Sequence, residues 1–161
     1  MPTWEIIVRT GDVDGGGTDA NVSVSLIGTD ARTHEFNLEN LDRNDFERGG
    51  MDHFLLREVG HIGDLRAIAI RQDMQSMYAA WFLEDVFVRR LPDGPRHRFH
   101  VHRWLEGGTG DKCVGLILTE HYGWHCFATS NVSSESLGGD AWHWLQGNFK
   151  EISQAALVAF V

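Results

Sequence analysis

Apolar and polar residues alternate along most of the first hundred positions. Trp4, Ile6 and Val8 interleave with Glu5, Ile7 and Arg9, and Val22, Val24 and Leu26 with Ser23, Ser25 and Ile27. A period of two is the mark of a strand with one face buried. The pattern predicts strands near 3–10, 20–28, 33–38, 52–58, 65–71, 82–90 and 96–103, with turn chemistry between them, as in an antiparallel sandwich or barrel. One of them departs from simple alternation: Leu65, Ala67 and Ala69 oppose Arg66, Ile68 and Ile70, so that strand is apolar on both faces.

Beyond Leu105 the pattern changes. GGTGD reads as a joint, KCVGLILTE and WHCFATS as a further hairpin, and SNVSSESLGGD as a polar loop. Trp142, Leu145, Phe149, Ile152, Ala156 and Phe160 then recur at gaps of three and four. That spacing predicts an amphipathic helix capped by Asp140, although Gly147 weakens it by about 1 kcal/mol. The chain divides on this reading into a β-sandwich over 1–106 and an extension over 107–161 that packs on the sandwich or mediates a homodimer.

The loop between the first two strands, TGDVDGGGTDANV, concentrates unusual chemistry. Its carboxylates Asp12, Asp14 and Asp19 repel one another unless solvent or a cation screens them, and carboxylates beside exposed carbonyls suit a hard cation such as calcium. Gly15-Gly16-Gly17-Thr18-Asp19-Ala20 fits a dinucleotide-binding pattern, but a strand follows where that mechanism needs a helix. An EF-hand fails at positions five and twelve, occupied by Gly16 and Ser23, and no lysine follows the glycines as in a phosphate-binding loop.

Six segments in order carry a resemblance: Thr10-Gly11-Asp12, Gly17-Thr18-Asp19-Ala20-Asn21-Val22, Asn44-Asp45-Phe46-Glu47-Arg48-Gly49, Asp52 with Phe54, Trp81-Phe82-Leu83 and Arg103-Trp104-Leu105. Residues 3–105 resemble the PLAT (lipoxygenase-homology) family. The resemblance implies a two-sheet antiparallel β-sandwich that serves as a non-catalytic membrane-targeting or protein-docking module, several of whose relatives bind calcium. It implies calcium ligands in the carbonyl of Gly17 and in Thr18, Asp19, Asn44 and Asp45. A second family site uses an acid before the Trp-Phe-Leu strand; the nearest here, Asp73, is not at the matching position. Glu47, Arg48 and Asp52 read as structural, with Arg48 pairing a carboxylate to lock its loop. The apolar Met74, Met77 and Tyr78, on a loop, and Trp81 beside them are expected lipid contacts, although Trp81 also suits the core.

Charge and the remaining chemistry narrow the picture further. Basic residues number 14 against 23 acidic, a net −9, which disfavours nucleic acid and requires a bridging cation at an anionic membrane. No apolar run spans a membrane and no secretory leader is visible, so the cytosol is the expected compartment, with peripheral membrane association through a lipid surface or a membrane-associated protein. Cys113 and Cys126 are expected as two buried free thiols, with pairing across the hairpin as the alternative; Asn21 and Asn131 begin sequons that a cytosolic protein does not use. His100 and His102 share a strand face near His97, with His121, His125 or His143 as further ligands, but without HExxH, CxxC or an accompanying catalytic carboxylate zinc is not expected. No G-x-S-x-G elbow marks a hydrolase.

Overall fold

The computed structural model describes residues 1–73, 80–106, 113, 115–127 and 139–153. Nine strands form two antiparallel sheets. β1 (Trp4–Thr10), β4 (Met51–Leu56), β6 (Ala80–Arg90) and β7 (Arg96–Glu106) make the first, in the order β4-β1-β6-β7. β2 (Val22–Gly28), β3 (Phe36–Leu38), β5 (Leu65–Gln72), β8 (Gly115–Leu118) and β9 (Trp124–Phe127) make the second, in the order β3-β2-β5-β8-β9. The alternation that predicted the strands also sets which residues point inward: Trp4, Ile6 and Val8 from β1 meet Val22, Val24 and Leu26 from β2 in the core between the sheets, with Trp81, Leu83 and Phe99.

The two-faced strand has a second core behind it. Ala67 and Ala69 on the outer side of β5, with Ile27 and Ile117 beside them, are covered by Leu145 of α1 (Gly139–Asn148) and by Ile152. Alanine at those two positions leaves room for a helix to approach the sheet, and Ser153 N donates to Thr29 O at 2.8 Å to fasten the segment that follows.

The C-terminal half carries the expected hairpin and differs from expectation in two ways, the state of its cysteines and the length of its helix. The hairpin of β8 and β9 is a continuation of the second sheet, with Ile68 opposite Leu118 and Leu116 opposite Cys126. That register brings Cys113 and Cys126 to a Cα separation of 5.8 Å, and they form a disulfide where free thiols were expected. The helix begins at Gly139 and ends at Asn148, so Asp140 lies within its first turn and Phe149 and Ile152 beyond its end. Gly147 and Asn148 explain the stop: neither favours helix, and the Asn148 amide donates to the Trp144 carbonyl at 2.9 Å, satisfying one of the acceptors a helix end leaves open. The positions of Ala156 and Phe160 lie outside the described residues.

Candidate functional site

Two loops distant in sequence meet at one end of the sandwich. The first runs from Gly11 to Asn21, the second from Glu39 to Gly50, and backbone hydrogen bonds join them: Thr10 N to Gly50 O, Gly49 N to Gly11 O, and Thr18 N to Phe46 O at 2.9 Å. Gly17 makes the approach possible, since a β-carbon there would sit 3.0 Å from both Arg48 N and Phe46 O. Arg48 spans the gap with Nε on Asp12 (2.9 Å) and Nη1 on Asp14 (2.8 Å), so it pairs with two carboxylates of the first loop.

Four of the expected calcium ligands line one cavity, of about 190 Å³, between these loops. Thr18, Asp19, Asn44 and Asp45 all border it; Gly17, the residue before Thr18, is not part of its lining. Their present engagements differ. Asp19 is exposed and, among the described residues, has no partner. Thr18 Oγ1 donates to buried Gln72 Oε1 at 2.9 Å and accepts from Ala20 N. Asp45 accepts from the backbone and side-chain nitrogens of Asn40, at 2.7 and 2.9 Å, and the Arg43 guanidinium lies 3.7 Å away. Asn44 reaches Glu47 at 2.6 Å. Asp73 is committed elsewhere, both its oxygens accepting from Asn21. The donor set of hard oxygens with one unengaged carboxylate fits a calcium-type cation; Arg43, also on the cavity wall, lies between Asp45 and Asp52.

The second loop is shaped from beneath. Phe46 adopts a left-handed backbone (φ 60°), and its ring is buried against Phe54 and Trp81, at centroid distances of 5.6 and 5.4 Å. Its amide donates to Asp52 Oδ2 at 2.8 Å while Arg43 Nη2 holds Oδ1 at 2.9 Å. Burial holds the Asp52 carboxyl above the ordinary carboxylate range, against the lowering by the Phe46 amide and Arg43.

Trp81 corrects an expectation. It is fully buried, and its indole Nε1 donates to Thr10 Oγ1 at 3.0 Å, so it is a core residue under the loops and not a lipid contact. Met74, Met77 and Tyr78 lie outside the described residues. The flanks of their segment are bonded to the first loop, Asp73 N to Asn21 O and Phe82 N to Gly16 O.

This arrangement can be set beside known proteins. Residues 4–114 match the PLAT/LH2 domain. The chain belongs to that family. Lipoxygenase homology domain-containing protein 1 from Mus musculus is 39% identical over 108 residues, 67% of this chain and 5% of that protein. Human polycystin-1 is 35% identical over 117 residues, 73% of this chain and 3% of that protein. This PLAT chain thus spans only a small part of these relatives. Among solved structures, a coral 8R-lipoxygenase described as calcium-activated through a C2-like domain superposes with a TM-score of 0.60 at 23% identity, over 73% of this chain and 16% of that one. A calcium-dependent 11R-lipoxygenase gives 0.58 at 28% identity, over 74% and 17%. These likenesses carry the two-sheet PLAT sandwich and indicate no catalytic family for the chain itself.

A second constellation escaped the sequence reading. Glu84, Asp85 and His100 are the one set of three potential metal-ligating side chains among the described residues whose ligand atoms lie within 4.8 Å of one another. Asp85 is almost fully buried and is saturated by Arg9 Nη1 (3.2 Å), Arg98 (3.1 Å) and His100 Nδ1 (2.9 Å), which marks an ion network with its charge already met. In a regular strand Glu84 and Asp85 would face opposite sides. A register shift between Leu83 and Asp85 turns both towards the histidines of β7, and only the unbroken alternation of β7 against a slipped β6 pattern could have signalled it.

Proposed function

We propose that this PLAT domain is a non-catalytic, calcium-dependent module that binds a lipid surface. Gly17 through its carbonyl, with Thr18, Asp19, Asn44 and Asp45, would hold the ion. The observation that carries the reading is the convergence of both loops on one cavity with the Asp19 carboxylate unengaged. The calcium-dependent 11R-lipoxygenase of similar fold supports it by analogy. The ion has a physical task here: a chain of net charge −9 is repelled by anionic headgroups, and a bound cation offsets that repulsion where the loops touch the surface. Met74, Met77 and Tyr78, whose flanking residues are tied to the first loop, would enter the interface beside it.

The test is co-sedimentation of the full chain with anionic and zwitterionic liposomes, in calcium and in chelator, alongside Asp19→Asn combined with Asp45→Asn. Pelleting with anionic vesicles that needs calcium and disappears in the double variant is the expected result. No pelleting under any condition overturns the reading and leaves a polypeptide ligand, with structural acidic loops, as the function.

A further inference from the structure

The outer face of the four-stranded sheet carries no covering element among the described residues, unlike that of the second sheet, and its charges are layered. Three carboxylates are sunk into it, Glu5, Glu84 and Asp85, between 1 and 19% exposed, and the groups above them are 38 to 63% exposed. Glu5 lies beneath His53 (3.0 Å) and Arg89 (3.6 Å), Glu84 beneath His102 (2.9 Å), and Asp85 beneath Arg9, Arg98 and His100. Arg96 adds a further guanidinium, 4.5 Å above the Phe87 ring. Each of the three acids is thereby paired from above, so that guanidinium and imidazole groups stand outermost over them, with Glu120 bordering the strip where it accepts from the Arg98 amide. The guanidinium charge is the reverse of the sign carried by the whole chain.

We propose that this face docks an acidic, extended segment of another polypeptide. Guanidinium groups laid on a ring or a carboxylate keep the rest of their N–H fork free for a second carboxylate. Arg96, Arg98 and His100 recur at every second residue of β7, about 6.8 Å apart, which is also the spacing of same-side carboxylates on an extended chain. The β4 side adds apolar contact through exposed Met51 and Leu55. Width favours a peptide over a membrane. Screening in physiological salt confines attraction to within about 8 Å, so a narrow chain meets only the cationic strip, whereas a bilayer also meets more of a chain whose net charge is −9. The site is separate from the calcium cavity and does not depend on it.

The experiment follows fluorescence anisotropy of a labelled short peptide alternating Glu and Thr as the full chain is added, in chelator, with a Lys–Thr peptide as control. Saturable binding of the Glu peptide alone is expected, weakening as salt rises. Arg89→Glu with Arg96→Glu, neither of which touches buried Asp85, should weaken it at least about tenfold with an unchanged circular dichroism spectrum, and the Gln pair should fall between. Absence of saturable binding, equal binding of the Lys peptide, or an affinity untouched by the charge reversal overturns the proposal. So does binding to phosphatidylserine vesicles in chelator that the reversal abolishes while the peptide fails to bind, which would assign the face to a membrane.

Discussion

Replacing Trp81 by Phe separates a core role from an interfacial one. The indole is wholly buried beneath the loop end, its Nε1 bonded to Thr10 Oγ1 and its edge set against Phe46. Phe retains most of the apolar volume but removes the donor, leaving buried Thr10 with an unmet acceptor at about 1–3 kcal/mol. The lost ring atoms leave a gap of roughly 40 Å³, adding about 1 kcal/mol. The expected total is about 3 kcal/mol, a fall in melting temperature of roughly 6–12 °C for a chain of this size. Urea denaturation followed by fluorescence of the remaining tryptophans measures it, and Thr10→Val should reproduce the hydrogen-bond share alone. Liposome pelleting per folded molecule should not change. A loss below about 0.5 kcal/mol together with weakened vesicle binding would refute the assignment and return Trp81 to the interface.

Four further outcomes follow from the contacts described above. Gly17→Val should force the loops apart and cost about 1–3 kcal/mol in urea denaturation, because its β-carbon meets backbone atoms that cannot move aside. Leu145→Ala should cost about 2–4 kcal/mol and raise hydrogen exchange in β5 and β8, since Leu145 is a fully buried contact of α1 with the second core. Reducing the Cys113–Cys126 disulfide, which encloses a short loop, should lower stability by about 2–3 kcal/mol as read by denaturation with and without reductant. Asp52 has its folded pKa raised above the unfolded value of 3.8, so its charge opposes folding at neutral pH and that penalty is relieved as pH falls through the raised pKa. The stability of the native chain relative to Asp52→Asn should therefore decline as pH rises from 3.8 upward, and a difference that is flat across that range would contradict it.

The sandwich was legible because inward and outward residues alternate cleanly: Trp4, Ile6 and Val8 read as strand, and β5 read as apolar on both faces, though that α1 covers the outer one emerged only from the structure. The loop pair was legible in composition, but its closure was not. Nothing in the local sequence says that the Phe46 carbonyl receives Thr18 N, because that contact is made by chain segments 28 residues apart and set by sheet geometry. The disulfide depended on the register of β8 against β9, which a hairpin without a tight, diagnostic turn leaves open. The helix end was misread because periodicity continued through Phe149 and Ile152, which do reach the apolar layer, but from a turn. Glu84 and Asp85 were missed because one register shift reverses the face on which every alternation argument relies.

Phe46 gives the loop end an unusual dependence on the interior. One residue places its ring among Trp81 and Phe54, hangs its amide on Asp52, and offers its carbonyl to Thr18, all from a left-handed backbone that an ordinary side chain adopts only under constraint. The cavity is thus wired to the hydrophobic centre instead of floating on a surface loop. Sequence drift in the aromatic core would be transmitted to the loop tips without any loop residue changing, so the geometry of this end can be tuned from inside the protein.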